Sequence, residues 1–61
     1  MNDLSIVLCT YNEAAYIKEA LTKLISKTSV REIIIIDDDS SDGTANIIRS
    51  LTNDKIKFFL R

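Results

Sequence analysis

The chain has 61 residues, 46% of them hydrophobic and 28% charged, so it forms at most one small domain and its composition is neither disordered nor low-complexity. A net charge of −1 with scattered lysines and arginines supplies no basic field for nucleic acid or an anionic membrane, and no apolar run approaches the roughly 20 residues of a transmembrane segment. Cys9 is the one cysteine and histidine is absent, which excludes an intrachain disulfide and favours a reduced, cytoplasmic setting.

Asp3, with no early lysine or arginine, argues against a signal peptide. Leu4-Ser5-Ile6-Val7-Leu8-Cys9 is rich in β-formers and lies between Asn2-Asp3 and Thr10-Tyr11-Asn12, which predicts a first strand, central and buried. Asn12 is placed to cap a helix, with Glu13 in the first turn where the helix dipole favours negative charge. Ala14, Ile17, Leu21, Leu24 and Ile25 recur at helical spacing and carry that helix to about Ser26. After polar Lys27-Thr28-Ser29, residues 30–36 read as a second strand, reached by a connection long enough for a parallel crossover.

Ile33, Ile34, Ile35 and Ile36 leave that strand without a polar face, so it should be covered on both sides, as in a parallel sheet between helix layers. The run stops at Asp37, Asp38 and Asp39, and Ser40-Ser41-Asp42-Gly43-Thr44 then suits a tight turn and a helix start. Ile47, Ile48 and Leu51 continue from Thr44 as a second amphipathic helix, ended by Thr52-Asn53-Asp54. Ile56-Lys57-Phe58-Phe59-Leu60 makes a third strand nearer an edge. The order β-α-β-α-β predicts a single Rossmann-like α/β domain over residues 1–61, a three-stranded parallel sheet with helices. Two of its strands would be edges, and the chain reads as the first half of something larger.

Adjacent carboxylates repel, so three in a row need solvent, backbone N–H donors, a cation or a ligand hydroxyl to take up their charge. If the first two strands are parallel neighbours, Thr10-Tyr11-Asn12-Glu13 and the aspartates open on the same sheet edge, where ligands of open α/β sheets bind. A tyrosine face and a carboxylate there suit a planar base or sugar hydroxyls. The plainer alternative is that Asn12 caps, Tyr11 packs on the turn, Glu13 complements the dipole, and Asp39 or Asp42 caps local N–H groups. Strand alternation sends Asp37 and Asp39 one way and Asp38 the other. Without histidine, Ser40 and Ser41 have no triad base and read as caps. Gly43 is the single glycine, so a glycine-rich phosphate loop is excluded and a diphosphate would need another hold, most simply a divalent metal.

Taken together, residues 5–13 and 33–44, separated by one helix, closely resemble the amino-terminal nucleotide-binding half of family 2 glycosyltransferases, inverting enzymes with a GT-A fold. The resemblance covers essentially the whole chain and departs at Cys9, where many members carry proline. It implies that Cys9, Thr10, Tyr11 and Glu13 wrap the base and ribose of a UDP- or GDP-linked nucleotide sugar, and that Asp38 accepts a hydrogen bond from the base. The turns should then meet at one rim across a gap the width of a nucleoside. The resemblance also implies a divalent metal, Mg or Mn, in the full-length enzyme, held by an Asp-X-Asp motif on a later strand, with the catalytic base later still. Neither falls within these residues, so no catalytic or metal residue is assigned and the chain alone is expected not to transfer sugar. Two other readings stand beside this one. Asp37-Asp38-Asp39-Ser40-Ser41 loosely fits the Asp-X-Asp-X-hydroxyl pattern of magnesium-dependent haloacid dehalogenase phosphatases, although there the aspartates follow the first strand. A non-catalytic α/β module with exposed edges would instead self-associate into a homo-oligomer.

Overall fold

Isoleucine builds the middle of the sheet. In the computed structural model, which describes residues 3–51 and 53–61, strand β2 (Val30–Asp37) lies between β1 (Leu4–Thr10) and β3 (Ile56–Leu60), and both pairings are parallel. The register sets Ile6 beside Ile33 and Ile33 beside Ile56, then Leu8 beside Ile35 and Ile35 beside Phe58. Branched side chains stiff at χ1 suit these cross-strand rows. Helix α1 (Ile17–Ile25) and helix α2 (Thr44–Ser50) supply Ile17, Leu21 and Ile48 to the same core, in which Leu21, Ile33 and Ile35 are wholly removed from solvent. The Arg49 guanidinium lies 5.5 Å from the Phe58 ring centre and ties α2 to β3.

Two expectations about the sheet are corrected. The strands follow chain order across it, so β1 is an edge strand rather than a central one, and among the described residues nothing pairs with its outer side. Two crossovers of one hand, stepping in one direction, also stack both helices on one face, so β2 is not covered on both sides. The opposite face carries Val7, Cys9, Ile34, Ile36 and Phe59, with Val7 61% and Phe59 57% exposed. At its other end Glu32 accepts from Ser5 Oγ and faces Arg31 and Lys57 at 3.2 and 3.4 Å, exposed ion pairs that contribute little to stability.

The start of α1 also differs from expectation. Asn12 does not cap it and Glu13 is not in its first turn: the helix begins at Ile17, and Asn12 instead adopts a left-handed φ of 51°. The Glu13 carbonyl accepts from the amides of Tyr16 and Ile17, both at 2.9 Å, and so closes the turn that leads into the helix. At the far end the Lys55 ammonium donates at 3.0 Å to the carbonyl of Ile25, which the helix end leaves open, and at 3.0 Å to that of Lys27 in the following turn. Gly43 precedes α2 with φ 92°, a conformation that glycine adopts without strain. The helix ends at Ser50, one residue before Leu51; Thr52, placed in the stop signal, and Asn2, placed before the first strand, lie outside the described residues. No helix among the described residues is long and apolar enough to cross a membrane.

Candidate functional site

The carboxyl ends of β1 and β2 meet through a buried carboxylate. Thr10 and Asp37 are register partners on the helix-covered face, continuing the parity of Ile6 and Leu8 on one strand and Ile33 and Ile35 on the other. Thr10 Oγ1 donates to Asp37 Oδ1 at 2.7 Å, Ser40 Oγ donates to the same oxygen at 2.6 Å, and the Ser40 amide donates to Oδ2 at 2.9 Å. Asp37 has no solvent exposure. Burial pushes its carboxyl up, but the hydrogen bonds from Ser40 and Thr10 outweigh that and leave it below its ordinary value of 3.8. The charge of this aspartate is therefore taken up by the protein's own hydroxyls and one amide.

A carboxyl held below its unfolded pKa contributes stability that is complete above about pH 4 and is lost as pH falls through the lowered folded value. Asp37→Asn should accordingly flatten the acid limb of the stability curve below about pH 4, measured as the urea midpoint against pH. An unchanged acid limb would show that this carboxyl does not titrate differently on folding.

Beyond Asp37 the chain turns sharply. The Asp38 amide donates to the Thr10 carbonyl at 2.9 Å, extending the ladder one step, and Asp39 then takes a left-handed φ of 55°. Simple strand alternation ends there, with Asp38 and Asp39 both exposed.

The turn after β1 is stitched to the turn after β2. The Asn12 amide donates to Ser40 Oγ at 2.8 Å, the Glu13 amide to Thr44 Oγ1 at 2.9 Å, and the Ala14 amide to Asp42 Oδ2 at 3.1 Å. In return the Ser41 amide donates to Asn12 Oδ1 at 2.9 Å. Asp42 Oδ1 also accepts from the Thr44 hydroxyl and, at 3.1 Å, from the Thr44 amide, and these bonds, with the Thr44 hydroxyl foremost, hold the Asp42 carboxyl below its ordinary value. These contacts hold the first turn against the second, and with Asn12 at a left-handed φ of 51° the helical ladder opens only at the Glu13 carbonyl, which accepts from the Ile17 amide.

Of the residues singled out in the sequence, the rim brings Thr10 and Asp38 into direct backbone contact and leaves Tyr11, Glu13 and Asp38 exposed, Tyr11 by 61%. The Thr10 hydroxyl is buried in its bond to Asp37, and Cys9 lies exposed on the open face. The two turns do meet at one rim, but direct hydrogen bonds join them where a nucleoside-wide gap was expected. A shallow cavity of about 170 Å³ opens instead beside β1 and the start of α1, with Cys9, Thr10, Glu13 and Tyr16 among its lining; Tyr11 and Asp38 are not part of that lining.

Asp37, Asn12 and Asp42 organise the rim although none was assigned to the site. For Asp37 the parity it shares with Ile33 and Ile35 becomes a signal only once the helices mark that face as the buried one. The carboxylates do not form a metal cradle: both oxygens of Asp37 and of Asp42 accept protein donors, and among the described residues no three acidic or thiol groups converge on one point. The divalent ion expected of the full-length enzyme has no fitted donor set here.

Parallel strands joined by helices, with polar turns gathered at the carboxyl rim, define a Rossmann-like α/β unit, and in open sheets of this kind ligands bind at that rim. The glycosyl transferase family 2 profile matches residues 5–61, and the chain belongs to that family, its sheet and helices forming part of a GT-A fold. It is 36% identical over 58 residues to an uncharacterized glycosyltransferase of Nostoc sp. (strain PCC 7120), covering 88% of this chain and 18% of that protein. It is also 36% identical over 64 aligned positions to the GalNAc(5)-diNAcBac-PP-undecaprenol beta-1,3-glucosyltransferase of Campylobacter jejuni, covering 98% of this chain and 20% of that enzyme. The chain thus spans about a fifth of the length of these relatives. No solved structure gives a significant match. Membership of this family leaves the phosphatase alternative without support.

Proposed function

We propose that the rim binds the base and ribose of a UDP- or GDP-linked sugar donor, within a glycosyltransferase that transfers the sugar with inversion. The observation that carries this reading is the stitching of the two turns, which fixes Tyr11, Glu13 and Asp38 on one edge of the sheet with their side chains exposed. Asp38 accepts a hydrogen bond from the base, Tyr11 offers a ring face, Glu13 takes ribose hydroxyls, and Cys9 and Thr10 shape the start of the turn. The cavity beside Cys9, Thr10 and Glu13 gives that turn a recessed flank.

Asp38→Ala should weaken UDP or GDP binding about thirtyfold, roughly 2 kcal/mol, because a base donor loses its acceptor, while Ser41→Ala leaves affinity within about twofold. Calorimetric or NMR titration of the two variants checks this. Equal effects would remove Asp38 from its role.

The chain alone is proposed to bind donor without turning it over. Transfer needs a carboxylate free to take the acceptor proton and a group, a divalent Mg or Mn ion in the full-length enzyme, that offsets the charge of the departing diphosphate. Asp37 and Asp42 are engaged in holding the fold, and among the described residues no three ligating side chains gather to hold such an ion. Release of UDP or GDP by the purified chain in the presence of an acceptor would contradict this. A cytoplasmic setting suits both the donor class and the free thiol of Cys9.

Self-association goes with this reading, and one observation favours it: β1 (Leu4–Thr10), whose outer side has no strand partner among the described residues, carries neither a charge nor a proline, the devices that normally protect an edge strand. Sedimentation should show a concentration-dependent dimer. A monomer at the highest concentrations would exclude it.

A further inference from the structure

The polarity of two hydroxyls at the rim is set from behind. A hydroxyl has one proton to donate. Ser40 gives its proton to Asp37 Oδ1 at 2.6 Å, and Thr44 gives its own to Asp42 Oδ1, so each turns a lone pair toward an amide of the first turn, Asn12 at 2.8 Å and Glu13 at 2.9 Å. Each is a relay from carboxylate to hydroxyl to amide. Thr44 has no solvent exposure, so it cannot meet a ligand itself. Its hydroxyl instead reaches the backbone of Glu13, 31 residues earlier, whose side chain is exposed on the rim.

We propose that Thr44, oriented by Asp42, is a positioning residue for nucleotide recognition: through the Glu13 amide it sets the first turn, and with it Tyr11 and Glu13, against Asp38. The inference rests on the nucleotide-binding reading and adds to it a residue of the second turn that never contacts the ligand. The same bonding consumes the amides of residues 12–14, so the turn has no free N–H nest for a diphosphate and is shaped for the nucleoside end of the donor.

The test uses the whole chain and titrates UDP and GDP into wild type, Thr44→Val, Thr44→Ser and Asp42→Asn, at a temperature where each gives a native circular dichroism and amide spectrum. Thr44→Val keeps the shape and removes the acceptor. It should weaken binding about tenfold and strip the Glu13 amide of hydrogen-exchange protection, while Thr44→Ser, which restores the hydroxyl, should bind within about twofold of wild type. Asp42→Asn, at an exposed position, should weaken binding about threefold and serves where Thr44→Val does not fold. Wild-type affinity in folded Thr44→Val or in Asp42→Asn would overturn the proposal, as would Thr44→Ser binding no better than the valine variant. A wild-type chain that binds neither nucleotide would instead show that the underlying reading is wrong, and the positioning role would fall with it.

Discussion

Asp37→Ala is expected to lower the stability of the chain by about 3 kcal/mol, measured as the shift in urea unfolding at constant slope. The variant removes the acceptor of the Thr10 hydroxyl and of both Ser40 donors at a position without solvent exposure. A buried donor left unpaired costs about 1 to 3 kcal/mol. Natural domains carry about 0.05 to 0.15 kcal/mol per residue, so a chain this short has roughly 3 to 9 kcal/mol in total. The substitution therefore takes much of what is available, and at the lower end it unfolds the protein outright. Ser41→Ala, on the exposed side of the same turn, should stay within about 0.5 kcal/mol of wild type. An Asp37→Ala protein with an unshifted midpoint would mean that the carboxylate is not the hinge of the rim.

Ile35→Ala is the second large effect, with an expected loss of about 3 kcal/mol against less than about 1.5 kcal/mol for Ile34→Ala. The two residues are neighbours in an unbroken isoleucine run, but Ile35 is fully buried between Leu8 and Phe58 under the helices, whereas Ile34 points to the open face between Val7 and Lys57. Cavity formation sets the first cost; partial exposure in the folded state reduces the second. Denaturant titration of both variants separates a sheet covered on one face from one covered on both. Equal losses would indicate that the second face is buried as well.

That pair also marks where the sequence stopped being legible. The existence, order and parallel pairing of three strands followed from β-prone runs separated by helical spacing, and the bounds of β3 were read correctly. A homopolymeric isoleucine run, however, carries no period, so its buried parity was invisible until the helices were placed. Among the described strands β1 lies at an edge and not at the centre: strand composition reports burial propensity, while neighbours across the sheet are decided by pairing. The beginning of α1 was misplaced because capping is a local rule. Asn12 meets that rule in sequence, yet its amide and side chain are used by Ser40 and Ser41, 28 and 29 residues away.

The site was legible in part. Both turns were recognised, and they share one edge of the sheet, because parallel strands must put their carboxyl ends together. What escaped was the division of labour among the aspartates. Asp37 spends its charge on Thr10 and Ser40, and Asp42 on Thr44 and Ala14; this leaves Asp38 and Asp39 to solvent or a ligand. Only the pairing of Thr10 with Asp37 across the strands reveals that, and pairing is a tertiary fact.

The most direct measurement is a titration of UDP and GDP into the isotopically labelled chain, followed by amide chemical shifts. Saturable changes confined to residues 9–13 and 37–39 are the expected result. Changes spread over the open face around Ile34 and Phe59, or no change with either nucleotide at millimolar concentration, would contradict a nucleoside site at this rim.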